Sequence, residues 1–175
     1  MRFYNRNGDN MVIETKRLIL REMNLDDFES LKLVISDPIN MKYYENPYDD
    51  NGVLRWINWN LDNYKTYGFG LFAVILKETG QMIGDCGVTM QFINRKIRPE
   101  IGYHIHLDYH NQGYATEAAI AVKEYIFKNT TFKELYTYTT KENMPSRRVA
   151  EKNGMTLVEE YQDGNESLVV YCIRK

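Results

Sequence analysis

The sequence predicts an α+β (α/β three-layer) domain with a central, twisted, mixed but mostly antiparallel sheet flanked by helices. Strand patterns and helix patterns follow one another in the order β-α-α-β-β-β-α-β-α-β-β. Two turns typical of β-hairpins, Glu78-Thr79-Gly80 and Asp163-Gly164, join consecutive strands. A chain of 175 residues can bury one substantial core. We therefore expect a flexible extension over residues 1–10 and a single domain over residues 11–175.

The first elements are a strand over residues 17–23 and a helix that begins at Asn24 and ends by Pro38. Asn is a good N-cap, and Asp26 and Asp27 suit the first turn of a helix. A second helix is indicated by the helical spacing of its apolar residues, Val53, Trp56, Ile57, Leu61 and Tyr64. Residues 49–51 can cap it.

The remaining elements alternate between strands and helices. We expect strands over residues 69–76 and 82–89, a strand at Glu100, a long helix after Gly113, a strand over residues 135–140, a short helix over residues 143–152, and strands around Thr156 and Val169. The long helix has a buried stripe that begins with alanines, namely Ala115, Ala118, Ala119, Val122 and Ile126. Such a stripe lets a helix approach a sheet closely.

Composition excludes several classes of function. The 22 Lys and Arg residues do not exceed the 24 Asp and Glu residues, so no basic excess indicates nucleic-acid binding. No apolar run has transmembrane length, and the polar N-terminus does not resemble a secretory signal, so no membrane association is expected. Two cysteines fit reduced thiols in a cytoplasmic protein. The composition leaves open whether the protein is a monomer or a homodimer.

The segment PEIGYHIHLDYHNQGYAT, residues 99–116, carries the clearest functional signal. It passes from a strand into a turn with small residues at Gly113 and Ala115, directly before the long helix. Successive backbone N–H groups in such a turn can point at one anion, and the helix N-terminus adds about half a positive charge. The pattern favours a pyrophosphate site, although an ordinary left-handed turn would give the same residues.

Three blocks make the pattern specific to a family. His110 to Ala115 resembles the Gln/Arg-x-x-Gly-x-Gly/Ala acetyl-CoA loop of the GNAT N-acetyltransferase superfamily, and the EIGY block before it resembles the preceding strand. Residues 143–155 and 13–21 are similar to segments of the subgroup that acetylates the N-termini of ribosomal proteins. The resemblance implies the GNAT acyl-CoA N-acyltransferase fold, with a sheet splayed at the cofactor-binding strand, and acetyl-CoA as the acetyl donor.

The same resemblance implies a set of cofactor-binding residues. A bulged strand at Gly102 would present backbone N–H groups to the pantetheine arm and to the oxyanion. Asn143 would contact pantetheine, although its spacing before Pro145 also fits a helix cap. The expected acetyl-CoA residues are Tyr103, Ile105, His106, His110, Asn111, Gln112, Gly113, Tyr114, Ala115, Thr116, Asn143 and Ser146.

Acetyl transfer to an amine requires the ammonium to lose a proton first. Glu100 is the first candidate base, because the period of 2 in a strand places it on one face with Gly102 and His104. Alternatively, Glu100 has no catalytic role and is a solvated charge at the end of a strand. His104 and His106 are alternative bases with suitable ordinary pKa values, and each could equally be a half-buried strand residue.

The chain departs from the superfamily pattern at two positions. His110 stands where Gln or Arg begins the phosphate loop, which removes a cationic partner but leaves the backbone turn intact. Ala150 stands where many members carry a tyrosine that acts as general acid. Ser146 or water would then protonate the leaving thiolate, for which an acid is helpful but not indispensable.

A metal site is the main alternative interpretation of the histidine-rich stretch. His104, His106, Asp108 and His110 are one residue removed from the HxHxDH run of metallo-β-lactamase-like hydrolases. Against it, the spacing is wrong and the chain has only 3 histidines. We therefore expect no metal.

The acceptor amine is less well determined by the sequence. Between Glu22 and Asp50 the acids outnumber the bases, which would attract a cationic amine or would simply solvate a helix face. Tyr43, Tyr44 and Tyr48, around Asn46-Pro47, are the candidate substrate-binding residues. A protein N-terminal α-amine is the preferred acceptor, attacking directly in a ternary complex. A small amine such as a polyamine or an antibiotic, or a non-catalytic acetyl-CoA sensor, are the alternatives.

Overall fold

The strands form one continuous sheet in the computed structural model, which describes Arg2–Phe3 and residues 12–175. Within those residues the sheet has nine strands, ordered β1-β2-β3-β4-β5-β6-β7-β9-β8. Their bounds are β1 Arg2–Phe3, β2 Val12–Glu14, β3 Leu18–Arg21, β4 Leu71–Leu76, β5 Met82–Ile93, β6 Lys96–Ile105, β7 Glu134–Thr140, β8 Thr156–Asp163 and β9 Glu166–Arg174.

The helices begin where the sequence supplies caps. Their bounds are α1 Phe28–Ile35, α2 Asp50–Tyr67, α3 Tyr114–Asn129 and α4 Met144–Lys152, with short 3-10 helices at Leu25–Asp27 and Leu107–Tyr109. The side chain of Asn24 caps the first 3-10 helix, and Asp49 accepts a hydrogen bond from the N–H of Gly52 at the start of α2. Gly68 ends α2 with φ 76°, the left-handed conformation that favours glycine.

Strands β6 and β7 diverge, and this divergence positions the site. Their pairing is parallel, whereas every other neighbouring pair is antiparallel. The β6–β7 ladder consists of one pair, Glu100 opposite Tyr136, and the Thr137 hydroxyl donates to the carbonyl of Ile101 nearby. Past that point the end of β6 has no ladder partner on the β7 side within the described strands. The splay leaves room for a ligand between the strand ends.

The sheet is covered on both faces, as the alternation along β4 shows. Phe72 and Val74 belong to the core under α3, together with the alanine stripe of that helix. Leu71 and Ala73 point the other way, into the core under α1 and α2. These buried faces hold the three layers together, since each fully buried aliphatic or aromatic side chain contributes about 1.5–3 kcal/mol.

The predicted order of elements is confirmed, with additions and one error. β2 precedes the first predicted strand, and β5 and β6 extend into a tight hairpin whose turn residues, Asn94 and Arg95, both have positive φ. The bulge expected at Gly102 is wrong, because the β5–β6 register runs unbroken from Gly84 opposite Ile105 to Ile93 opposite Lys96. Of the predicted extension over residues 1–10, only Arg2–Phe3 is described, and it pairs with β2; the rest lies outside the described residues.

Candidate active site

A cavity of about 470 Å³ lies where β6 diverges from β7. Four segments line it: residues 39–44 between α1 and α2, the end of β6, the turn and first residues of α3, and α4 from its cap to its last residue. Residues that the sequence places far apart therefore meet in one space. These segments form the walls of the cavity, and each wall contributes a different kind of chemical group.

The first wall is the N-terminus of α3. Gly113 is its N-cap, with φ 83°, and no side chain caps the helix there. Gly113, Tyr114, Ala115 and Thr116 all line the cavity. Uncapped N–H groups at a helix N-terminus attract an anion, and a glycine in the left-handed conformation lets them be approached closely.

Arg17 brings a cation to this turn, and the sequence analysis missed it. Its Nη1 donates to the carbonyl of Gln112 at 2.9 Å, and its guanidinium lies 4.2 Å from the centre of the Tyr114 ring. A Cβ on Gly113 would come within 3.5 Å of Arg17 Nη2. Although His110 is not cationic in the family's way, a guanidinium from the segment before β3 reaches the loop, held there by an ion pair with Glu117 at 2.7 Å. Lys16 and Lys152 line an adjoining hollow beside Gly113.

The second wall is the start of α4. Asn143 caps this helix by accepting a hydrogen bond from the N–H of Ser146 at 3.2 Å, so the capping interpretation of Asn143 is confirmed. Its side-chain N–H group donates to Thr139. Both Asn143 and Ser146 line the cavity. The cap fixes the place of the Ser146 hydroxyl relative to β6.

A tyrosine hydroxyl lies beside Ser146, and it comes from β6. Tyr103 donates to the Ser146 carbonyl at 2.8 Å, and the two hydroxyl oxygens are 3.1 Å apart. Burial raises the pKa of Tyr103 above its ordinary value, so the phenol keeps its proton. Ala150 is fully buried against Met155 and Tyr171 and does not line the cavity. The phenol beside Ser146 is thus carried by β6 and not by α4.

The third wall contains His104, held by two partners. Its Nδ1 lies 2.7 Å from Asp85 Oδ1, and its Nε2 lies 2.7 Å from the Tyr44 hydroxyl. Asp85 is fully buried, and its other carboxylate oxygen accepts from Trp56 Nε1 at 2.8 Å. Burial lowers the pKa of His104, but the Asp85 carboxylate, with a smaller contribution from Glu100, raises it by more. The net pKa lies above the ordinary 6.5.

Glu100 lies on the same face of β6 as His104, at the last paired residue before the strands diverge. It is half-buried, and no hydrogen bond to its carboxylate is found within the described residues. Loss of water around it raises its pKa to about 7, against a smaller lowering by His104. A carboxyl group of that pKa changes charge near neutral pH. Glu100 does not line the cavity itself.

Comparison with known proteins decides the family. The family described as "Acetyltransferase (GNAT) domain" matches residues 17–156. This chain belongs to the GNAT acetyltransferase family. Two curated relatives come from Bacillus subtilis, and one of them is named an N-acetyltransferase. The uncharacterized protein YkkB is 36% identical over 90% of this chain and 92% of its own length, and the uncharacterized N-acetyltransferase YnaD is 35% identical over 83% and 82%.

Solved structures show the same fold. A GNAT-family acetyltransferase from Bacillus anthracis is 29% identical, covers 94% of this chain and 98% of its own, and has a TM-score of 0.79. RimL, a ribosomal L7/L12 α-N-protein acetyltransferase solved with coenzyme A, matches at 15% identity over 93% and 97%, with a TM-score of 0.78. At that identity the likeness to RimL shows the fold alone. GNAT acetyltransferases use acetyl-CoA as donor.

The cavity of this GNAT acetyltransferase brings together most of the predicted site residues. Those that line it are Tyr43, Tyr44, Tyr103, His104, Ile105, His110, Asn111, Gly113, Tyr114, Ala115, Thr116, Asn143 and Ser146. Four predicted residues lie outside it: Glu100, as described; Gln112, whose carbonyl binds Arg17; Tyr48, which packs against Trp56; and His106, whose Nδ1 accepts from the N–H of Asp108.

The three histidines do not converge on one point. His104 binds Asp85 and Tyr44, whereas His110 Nε2 binds the carbonyl of Ile105. Across residues 12–175 no cluster of three or more His, Cys, Asp or Glu side chains has the arrangement of a metal site. In the same part of the chain no helix combines the length and the apolar character needed to cross a membrane.

The acidic stretch before α2 is used mainly for structure. Asp27 is buried in an ion pair with Arg21, and Asp50 pairs with Lys32 at 2.6 Å. Asp37 accepts hydrogen bonds from its own turn, and Asp49 caps α2. The solvated or structural interpretation therefore fits these acids better than attraction of a substrate.

Proposed function

We propose that this GNAT acetyltransferase moves the acetyl group of acetyl-CoA to the α-amine of a protein N-terminus, by direct attack in a ternary complex. The observation that supports it best is the shared cavity, which joins the uncapped N-terminus of α3 to the His104–Tyr44 pair. Donor and acceptor would then meet without a covalent intermediate on the protein, and transfer gains from proximity.

The residues around α3 fit acetyl-CoA. Gly113 leaves the first N–H groups of the helix open, Lys16 and Lys152 add positive charge beside the turn, and Arg17, paired with Glu117, brings N–H donors close to it. This combination suits a pyrophosphate. The pantetheine arm would run from there between β6 and α4, past Asn143, toward the diverging strand ends. Unpaired backbone N–H groups at the end of β6 would stabilise the oxyanion.

Proton removal from the acceptor falls to the face that carries Glu100 and His104. With a pKa of about 7, the Glu100 carboxylate is ionised in much of the protein at neutral pH and attracts an ammonium group. His104 lines the cavity and can receive the acceptor's proton through the Tyr44 hydroxyl, to which it is hydrogen-bonded. The amine then attacks the thioester carbonyl as the C–N bond forms and the C–S bond breaks.

In this proposal the departing thiolate would leave toward Ser146, which lines the cavity. The Ser146 hydroxyl contacts the Tyr103 hydroxyl, which is protonated at neutral pH. Ser146 would donate its proton to the thiolate and take the Tyr103 proton once that O–H turns from the Ser146 carbonyl to the Ser146 hydroxyl, and Tyr103 would then regain a proton from water. A thiolate whose conjugate thiol has an ordinary pKa near 8.5 can leave without being protonated. The rate increase from protonation by Ser146 is therefore modest.

A peptide acceptor is supported by the open side of the cavity. Ile39 and Tyr44 are 64% and 47% exposed there, and Tyr43 lies between them. Exposed apolar and aromatic side chains beside a reactive centre suit an extended chain with a free end. The blocks at residues 13–21 and 143–155 resemble the subgroup that acetylates ribosomal protein N-termini.

The test is a panel of acceptors assayed with acetyl-CoA by release of free thiol. Peptides with free α-amines should be acetylated, and the same peptides with a blocked α-amine but a free lysine should not. Polyamines and aminoglycosides form the competing arm. Faster transfer to a small amine than to every peptide would contradict the peptide acceptor while keeping the acetyltransferase.

A further inference from the structure

The three hydrogen-bonded groups Asp85, His104 and Tyr44 form a chain that runs from the core to the cavity. Asp85 and His104 face each other across the β5–β6 register, so both side chains lie on the same face of the sheet. The Asp85 side chain is 0% exposed and that of His104 is 8% exposed, whereas Tyr44 is 47% exposed. Exposure therefore increases stepwise toward the acceptor side.

The buried end of the chain fixes the protonation of the imidazole. A carboxylate can only accept hydrogen bonds, so the 2.7 Å contact with Asp85 requires a proton on His104 Nδ1. In the neutral ring Nε2 then has no proton and accepts the O–H of Tyr44. Trp56 occupies the second oxygen of Asp85 and keeps the carboxylate from rotating.

We propose that Tyr44 is a catalytic residue that passes the acceptor's proton to His104, and that Asp85 is the positioning residue that fixes the tautomer of His104. This inference rests on the proposed acetyl transfer to an amine. Neither Asp85 nor Tyr44 is given this role by the sequence pattern, which indicated His104 and His106 as alternative bases and Tyr44 as a substrate contact.

The proton balance is simple. One N–H bond of the ammonium breaks as the Tyr44 oxygen takes that proton, and the Tyr44 O–H bond breaks as His104 Nε2 takes the other. The amine keeps the electron pair with which it attacks, and the positive charge ends on the imidazolium beside Asp85. The imidazolium later loses its proton to solvent.

The surrounding charges suit this direction of transfer. The titratable groups that face His104 are Asp85 on β5, Glu100 on β6 and Tyr44 between α1 and α2. Both carboxylates stabilise the imidazolium and raise its pKa. Although the Tyr44 residue is partly exposed, loss of water around its hydroxyl, with contributions from Glu100 and Asp85, raises the pKa of Tyr44 well above its ordinary value, so Tyr44 keeps its proton and donates it to Nε2.

The tautomer can be measured without any substrate. With 3 histidines in the chain, ¹⁵N labelling of the imidazoles gives few signals, which His104→Gln would assign. We expect His104 in the Nδ1–H tautomer, and Asp85→Asn should abolish that preference. A wild-type His104 with its proton on Nε2 would overturn the inference, even if the enzyme acetylates peptides. Failure of all acceptors would instead contradict the proposed function.

Kinetics supply the second test. Tyr44→Phe should lower kcat by about 10²-fold with unchanged acetyl-CoA affinity. Asp85→Asn should lower the plateau of kcat and move the rising limb of the pH profile to lower pH, because the imidazolium loses its carboxylate. Trp56→Phe, which keeps the Asp85–His104 contact, should cost less than Asp85→Asn.

Two exposed residues provide matched controls. Tyr67→Phe and Asp62→Asn repeat the same chemical changes on α2, where the side chains are largely exposed, and should leave the rate unchanged. If Asp85→Asn does not fold, Tyr44→Phe and the wild-type tautomer still decide the inference. Wild-type activity and a wild-type pH profile in Tyr44→Phe would overturn it.

Discussion

Arg17 and Glu117 are one hundred residues apart in the chain and form an ion pair with Nε and Oε2 at 2.7 Å. The other oxygen of Glu117 accepts from the backbone N–H of Arg17 at 2.8 Å and from the Thr15 hydroxyl at 2.6 Å. One carboxylate in the first turn of α3 thus ties the segment before β3 to the anion-binding turn. It also holds the Arg17 guanidinium beside Gly113.

We predict that Glu117→Gln destabilises the fold by about 1–3 kcal/mol, because it weakens charge-assisted hydrogen bonds. Burial raises the pKa of Glu117, but the hydrogen bonds from Thr15 and Arg17 lower it by more. The net pKa therefore lies below 4.5. A carboxyl group whose pKa is lowered by folding stabilises the folded state above about pH 4.5. This stabilisation is lost as the pH falls through the pKa of the folded state. Urea unfolding across pH should therefore show the two proteins converging in acid. A constant difference down to pH 3 would contradict this.

The anion-binding turn can be tested at Gly113 with a matched pair of substitutions. Any side chain is strained at φ 83°, but Asp and Asn tolerate this conformation better than most residues and have nearly the same shape. Gly113→Asp should weaken acetyl-CoA binding at least about tenfold more than Gly113→Asn, because only Asp places a negative charge toward the pyrophosphate.

Calorimetry at two salt concentrations measures this effect. The difference between Asp and Asn should shrink at high salt, since part of it is screened charge. Equal affinities of the two variants would mean that the pyrophosphate does not lie at this turn.

The sequence predicted what depends on local pattern. The helix after Gly113 follows from its alanine stripe and its turn, and the hairpin at Asp163-Gly164 from its turn residues. The hairpin turn Asn94-Arg95 was missed, because Arg at a positive φ gives no strong signal. The bulge at Gly102 was inferred from family resemblance, and the unbroken β5–β6 register shows that splaying alone frees the end of β6.

The site residues that the sequence missed all depend on long-range contacts. Asp85 lies in a run of buried strand residues, and only the register that places it opposite His104 reveals its role. Arg17 belongs to a block that was noticed as a subgroup marker, but nothing local shows that it reaches Gln112. Tyr103 was expected to contribute backbone, and its hydroxyl instead meets Ser146 across the cavity.

Glu100→Gln should change stability with a distinctive pH dependence. The pKa of Glu100 is raised from 4.5 to about 7 by desolvation, so the folded state favours the neutral acid. Wild type therefore loses stability as pH rises from about 4.5 through 7, by at most about 3 kcal/mol, and the glutamine variant does not. In urea unfolding, the free energy of unfolding of the variant should increase relative to that of wild type over that pH range. In kinetics, kcat/KM of the variant for a cationic amine should be roughly 10²-fold lower. Parallel stability curves would show that folding does not raise the pKa of Glu100.

The hydroxyl pair at α4 should behave as one unit. Ser146→Ala and Tyr103→Phe should each lower kcat about tenfold, because the thiolate loses assisted protonation but can still leave. Since the two hydroxyls are 3.1 Å apart, the double variant should lose little more than either single variant. Thr130→Val is the control and should keep full activity, because the hydroxyl that it removes donates to the Ile126 carbonyl and accepts from the Phe132 N–H, away from the cavity. Multiplicative losses in the double variant would show that Tyr103 acts independently of Ser146.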